Sequence, residues 1–230
     1  MNQYWNRYGV LLPVLLLLGL RMPAQHPSPP PYQCGFVLES EAAIRKVYAP
    51  ELEALKLQSG QVIADVGGSN GYRMAMFAVL YDSLTFYIED IDTLCLNADE
   101  FQKVHAYYSK VKGSPLNCEF HLVPGTEQAT MLPNGIFDKV LVTASYHHFS
   151  DPAGMLADIV TKLKPDGRIY LIENVVRKAG KRRKRLCNDP LKTAEGLRWE
   201  FEEQGFKVEA MHSLGRWWTK MFVLKKPANR

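Results

Sequence analysis

"VIADVGGSNG", residues 62–71, is an apolar run that closes on an acid and then breaks into glycines. The run reads as a buried strand, because short continuous segments rich in Val and Ile fill sheet interiors. The glycines read as a turn whose bare backbone can approach a neighbour or a ligand closely. Such turns follow many buried strands, so the elements on either side decide what this one means.

Upstream, residues 39–57 place Ala43, Val47, Leu52 and Leu55 at helical spacings, with Pro50 as an expected break. Downstream, helices are expected over 72–81, 93–111, 153–163 and 193–205. Strands are expected over 84–90, 118–124, 137–144 and 168–175, with "LKPDG", 163–167, as a turn. Two closing strands follow, 206–214 and 219–226. Continuous apolar strands separated by helices argue for a parallel sheet covered on both faces. The last two strands lie too close together for a helical crossover, so one of them runs antiparallel. The expected fold class is α/β: a Rossmann-like, doubly wound, mostly parallel seven-stranded sheet with an antiparallel C-terminal edge strand.

In such a sheet a ligand sits beyond the carboxyl ends of the strands, at the turn after the first. Asp65 ends that strand, Gly67, Gly68 and Gly71 shape the turn, and Tyr72 opens a helix with unpaired N–H donors. A second acid about 20 residues on can hold ribose hydroxyls. Asp90 stands 19 residues past Gly71, beside Glu89. The dinucleotide fingerprint G-x-G-x-x-G fails here: from Gly67 the pattern meets Ser69 and Tyr72, and from Gly68 it meets Asn70 and Arg73.

Together "VIADVGGSNG", "YIEDIDTLCLNA" (87–98), "GTEQATMLPNGIFDKVLVTASYHHFSDP" (125–152) and "LKPDGRIYLIE" (163–173) resemble a class I S-adenosylmethionine-dependent methyltransferase, over residues 40–230. The resemblance implies S-adenosylmethionine as cofactor and transfer of its methyl group to an unidentified acceptor, a small molecule. Asp65, Gly67 and Gly71 match the family's D-x-G-x-G-x-G turn, and Ser69 replaces its central glycine. Asp90 matches the acid on the ribose, and Thr143 and Ala144 match the segment lining the cofactor pocket. After the third strand the family has an acid that meets the adenine amino group. Here Thr126 occupies that position without a charge, or Glu127 takes over by a one-residue shift, the reading favoured here. Ser69 and this altered turn also keep open a Rossmann-like module that binds an adenosyl ligand without catalysis.

A hydroxyl acceptor calls for a general base, and His147 and His148 are the local candidates. Adjacent residues point apart, so at most one imidazole faces the cleft. No Cys-x-x-Cys or Cys/His cluster appears, so no metal is expected. Seven cations crowd residues 177–185, and without them 21 Lys and Arg face 24 acids. This run is a candidate contact for an anionic or membrane surface, and nothing else points to specific nucleic-acid binding.

Residues 1–24 read as a signal peptide, with an apolar core from Val10 to Leu20 too short to span a bilayer. Residues 25–39 read as a Pro-rich spacer. Export to the periplasm or outside the cell is expected, with an uncleaved membrane anchor as the alternative. Four cysteines, Cys34, Cys95, Cys118 and Cys187, allow three complete pairings.

Overall fold

The computed structural model describes residues 34–178, 191–215 and 217–227. The expected signal peptide and most of the basic run lie outside these residues. The elements run α1 (Glu41–Leu55), β1 (Val62–Val66), α2 (Tyr72–Leu80), β2 (Thr85–Asp90), α3 (Ala98–Lys112), β3 (Glu119–Pro124) and β4 (Phe137–Thr143). A single 3-10 turn (Tyr146–His148), α4 (Pro152–Lys162), β5 (Leu163–Asn174), α5 (Ala194–Glu203), β6 (Lys207–Ser213) and β7 (Thr219–Lys225) follow.

The seven strands form one sheet in the order β3-β2-β1-β4-β5-β7-β6. The first five are parallel to one another. β7 runs antiparallel to both β5 and β6, so the reversed strand lies one place in from the edge and β6 closes the sheet. One face buries Ile63, Phe77, Phe86 and Val104 beneath α1, α2 and α3. The other buries Phe137, Val142, Ile159 and Phe201 beneath α4 and α5. Phe201 packs on Phe222 of β7, whereas Trp199, one turn face away, is exposed.

Three boundaries differ from the sequence reading, each for a local reason. α1 continues through Pro50, because Ile44, Tyr48, Leu52 and Leu55 bury one stripe and offset the missing N–H bond. α3 starts at Ala98 rather than 93, because the Asn97 side chain caps the Glu100 amide. β5 includes "LKPDG": Phe137 pairs with Leu163 and Lys139 with Arg168, so the expected turn is an irregularity inside the strand. Among the described residues no helix is long and apolar enough to cross a membrane.

The end of the expected spacer, residues 34–39, is packed on the domain. Phe36 sits against the rings of Tyr48 and Tyr72, and the Leu38 amide donates to the Tyr108 hydroxyl at 3.3 Å. Cys34 and Cys95 form a disulfide, which selects one pairing that sequence left open. Cys118 is a free thiol.

Candidate active site

β1 passes to β2 on one side and has β4 on the other, and this reversal of strand order opens a crevice beyond their carboxyl ends. The crevice is a cleft of ≈ 380 Å³ with Gly67, Glu89, Asp90, Ile91, Glu127 and Phe149 on its walls. That volume is in the range of small-molecule sites, about 300–1,000 Å³.

At Gly67 the chain takes φ +72°, and a Cβ there would lie 2.1 Å from the Ser145 hydroxyl. Only bare backbone fits, so the cleft floor at this point is main chain. Asp90 stands at the rim. Its two carboxylate oxygens accept from the Ser69 amide at 2.8 Å and the Asp92 amide at 2.9 Å, which fixes the side chain and leaves lone pairs for a ligand. Ile91, 57% exposed, presents an apolar surface beside it. A bare-backbone floor, an anchored carboxylate and an exposed apolar side chain in a cleft of this size fit an adenosyl sulfonium compound.

Of the residues named from sequence, Gly67, Asp90 and Glu127 line this cleft. Thr126 lines it too, but its hydroxyl is held in its own turn by the amides of Gln128 and Ala129. Gly68 and Gly71 shape the turn from behind, packed on Ile88. Ser69 turns its hydroxyl away from the cleft and donates it to the Cys34 carbonyl at 2.9 Å. Thr143 ends β4 with a buried hydroxyl that lacks a hydrogen-bond partner, and the exposed Ala144 follows in a left-handed conformation. Neither is among the lining residues; Ser145 is.

Asp65 lies beneath the turn rather than on the cleft wall, 2% exposed. Burial pushes its carboxyl up to about 7, against the lowering effect of nearby Arg73. Arg73 reaches Glu51 of α1 at 2.7 Å, so three charged groups share this buried layer. Glu89, which sequence left unassigned, is also buried and faces the cleft. Its carboxyl rests on Gly125, where a Cβ would lie 1.7 Å from Oε1. Burial and the neighbouring Asp90 push it up to about 8, with the Gly67 amide opposing.

Both carboxyls hold their protons more tightly in the folded protein than in the unfolded chain. Their contribution to stability is fully present below about pH 4 and is lost as pH rises through about 7 and about 8. Urea denaturation should therefore show the ligand-free protein losing stability from pH 5 to pH 8. Glu89→Gln should flatten the upper part of that decline.

The two histidines differ in placement. His148 lines the cleft, and His147 turns toward β5, its ring 4.0 Å from that of His148. There the imidazole Nδ1 meets Glu173 at 2.8 Å and 3.0 Å from its two oxygens. Glu173 was missed. Its signal was present, however: "YLIE" is a third apolar strand ending on an acid, as β1 and β2 do.

Comparison with known proteins adds a likeness. A family model described as a methyltransferase domain matches residues 65–171. Residues 65–171, a little under half of the chain, are thus similar to a methyltransferase domain. A solved S-adenosylmethionine-dependent methyltransferase from Aquifex aeolicus is 18% identical, with a TM-score of 0.54 over 80% of this chain and 97% of the other. The glycopeptide N-methyltransferase MtfA, solved with sinefungin, is 15% identical, with a TM-score of 0.57 over 84% and 89%. The [4+2]-cyclase SpnF is 21% identical, with a TM-score of 0.57 over 77% and 62%. At these identities the structures share a fold, and the same fold serves different chemistry. A search of curated proteins finds no match.

In this domain the disulfide joins two walls of the cleft. Cys95 lies in the loop after Asp90 and Ile91, and the Cys34 carbonyl receives the Ser69 hydroxyl from the glycine turn. Reduction, or Cys34→Ser with Cys95→Ser, should lower unfolding stability by about 2–4 kcal/mol, because a long loop regains its freedom in the unfolded chain. The same change should weaken ligand binding severalfold. Thermal melts and calorimetric titration with and without reductant check both.

Proposed function

We propose that this protein transfers a methyl group from S-adenosylmethionine to a small-molecule acceptor. The charge of the cleft carries this reading. Asp90 and Glu127 line it beside Glu89, whose raised pKa of about 8 keeps it protonated near neutral pH, and among the described residues no Lys or Arg does. Such a cleft suits a cationic adenosyl compound, and among the described residues it offers the phosphates of a dinucleotide no cationic side chain. S-adenosylmethionine, when bound, supplies an electrophilic methyl group on a sulfonium centre.

The chain's own part is chiefly to hold and orient, and alignment of reacting groups is worth several kcal/mol. Asp90 takes the ribose hydroxyls, Ile91 covers a face of the adenine, and the backbone at Gly67 gives close approach to the amino-acid end. Glu127 is the candidate for the adenine amino group. Phe149 and Met155 supply the apolar walls that exclude water. Export remains part of the proposal. The Cys34–Cys95 cross-link supports it, since disulfides persist in oxidising compartments.

Calorimetric titration tests the assignment. S-adenosylmethionine and S-adenosylhomocysteine should bind in the micromolar range, while NAD should give no heat. Absence of binding by both adenosyl compounds would overturn it.

A further inference from the structure

A second cleft, ≈ 500 Å³, opens at the other end of the sheet, where β1, β4 and β5 begin. No described residue lines both this space and the cofactor cleft. The irregularity in β5 shapes it. Phe137 pairs with Leu163 and Lys139 with Arg168, so four residues of β5, 164–167, stand opposite Asp138 of β4, and all five line the cleft. Gln61, just before β1, and Tyr170 complete the walls.

Three cations line this cleft, and two of them are already matched. Lys164 meets Asp138 at 2.8 Å, and Asp138 also accepts from the Val62 amide at 2.8 Å. Arg168 pairs with Glu209 at 2.6 Å and donates to the Asp166 and Gly167 carbonyls at 2.7 Å and 3.1 Å. Lys139 differs. It is 8% exposed, and among the described residues its ammonium makes no hydrogen bond or ion pair. That ammonium opens on the cleft rather than being sealed in the core. Burial pulls its pKa below the usual lysine range, against the raising effect of Asp138. A cation withdrawn from water without a partner is costly, and an anion entering the cleft relieves that cost.

We propose that this cleft is a second binding site, separate from the cofactor cleft, and that it takes a small organic carboxylate on Lys139 and Gln61. The charge balance selects the class of ligand. One cation is unmatched, while Asp138 and Asp166 stand on the same walls. A single negative charge therefore suits the site, and a phosphate dianion meets two like charges. The side-chain oxygen of Gln61 accepts from the Gln58 amide at 3.1 Å, which fixes the group and leaves its NH2 as a donor to the second carboxylate oxygen. Pro165 and the buried Tyr170 ring supply apolar surface for the body of the ligand. The site is independent of the methyl-transfer reading above.

The test uses the full chain, with benzoate as probe and benzamide, its neutral counterpart, as control. Benzoate should bind by calorimetry, more weakly as salt is raised, and should shift the Lys139 side-chain resonances in NMR spectra of lysine-labelled protein. Benzamide and inorganic phosphate at the same concentration should leave those resonances in place. Lys139→Met should lower benzoate affinity about tenfold, the loss of one hydrogen bond to a charged group. Its melting temperature should be unchanged or higher, because an apolar side chain replaces a buried cation without a partner. Saturating S-adenosylhomocysteine should leave benzoate affinity as it is. Benzoate that gives no heat, or that binds Lys139→Met as tightly as wild type, overturns the site. Equal binding of benzamide, or displacement of benzoate by phosphate, overturns the class of ligand. Competition with S-adenosylhomocysteine would put the probe in the cofactor cleft and overturn the separate site.

Discussion

Asp90→Ala should weaken S-adenosylhomocysteine binding about a thousandfold, beyond calorimetric detection. Each hydrogen bond from a ribose hydroxyl to a carboxylate contributes about 1.5–3 kcal/mol, and two of them amount to roughly 4 kcal/mol. The substitution also strands two backbone amides, those of Ser69 and Asp92, which now find their acceptor on Asp90. The glycine turn and the loop bearing Ile91 would both loosen, adding to the loss. Asp90→Asn keeps one carbonyl oxygen for an amide and should lose less. Comparable melting temperatures for the two variants would show that the effect is local to the cleft.

Arg73→Leu should destabilise the fold by about 3–5 kcal/mol, since breaking a buried ion pair leaves its partner charge uncompensated. Arg73 and Glu51 are 9% and 5% exposed, and the guanidinium also lies 5.4 Å from the centre of the Tyr48 ring. Asp65 makes the effect depend on pH. Its carboxyl stands at about 7 with Arg73 present, and removing that cation raises it further. The destabilisation measured by urea unfolding should therefore be larger at pH 8, where Asp65 must ionise, than at pH 5.5. A second change, Glu51→Leu, should recover much of the loss, because an apolar pair of similar volume satisfies the same layer. Equal stability of wild type and Arg73→Leu at pH 8 would contradict this account of the buried charges.

The strands and the tip of β1 were legible because their signals are local. A Val/Ile run, a terminal acid and a glycine turn are adjacent in sequence, and Asp90 lies within the next strand. What stayed hidden depends on residues brought together from afar. His147 and Glu173 are 26 residues apart, and their bond exists only because β4 and β5 are neighbours in the sheet. Cys34 and Cys95 are 61 apart, and nothing in their spacing marks them as a pair. Pro50 misled in the opposite sense. Its local rule was sound, but burial along α1 outweighed it. Thr143 and Ala144 were placed by analogy on the cleft wall, where the chain instead turns through a left-handed Ala144 and presents Ser145.

The central claim is that an adenosyl sulfonium compound lies across the carboxyl ends of β1 and β2. A crystal structure of the protein grown with S-adenosylhomocysteine tests it most directly. The account predicts density in the cleft, with both ribose hydroxyls on Asp90, the adenine against Ile91 and the amino-acid end over Gly67. Density elsewhere on the molecule, or a ribose turned away from Asp90 in a filled cleft, would contradict it.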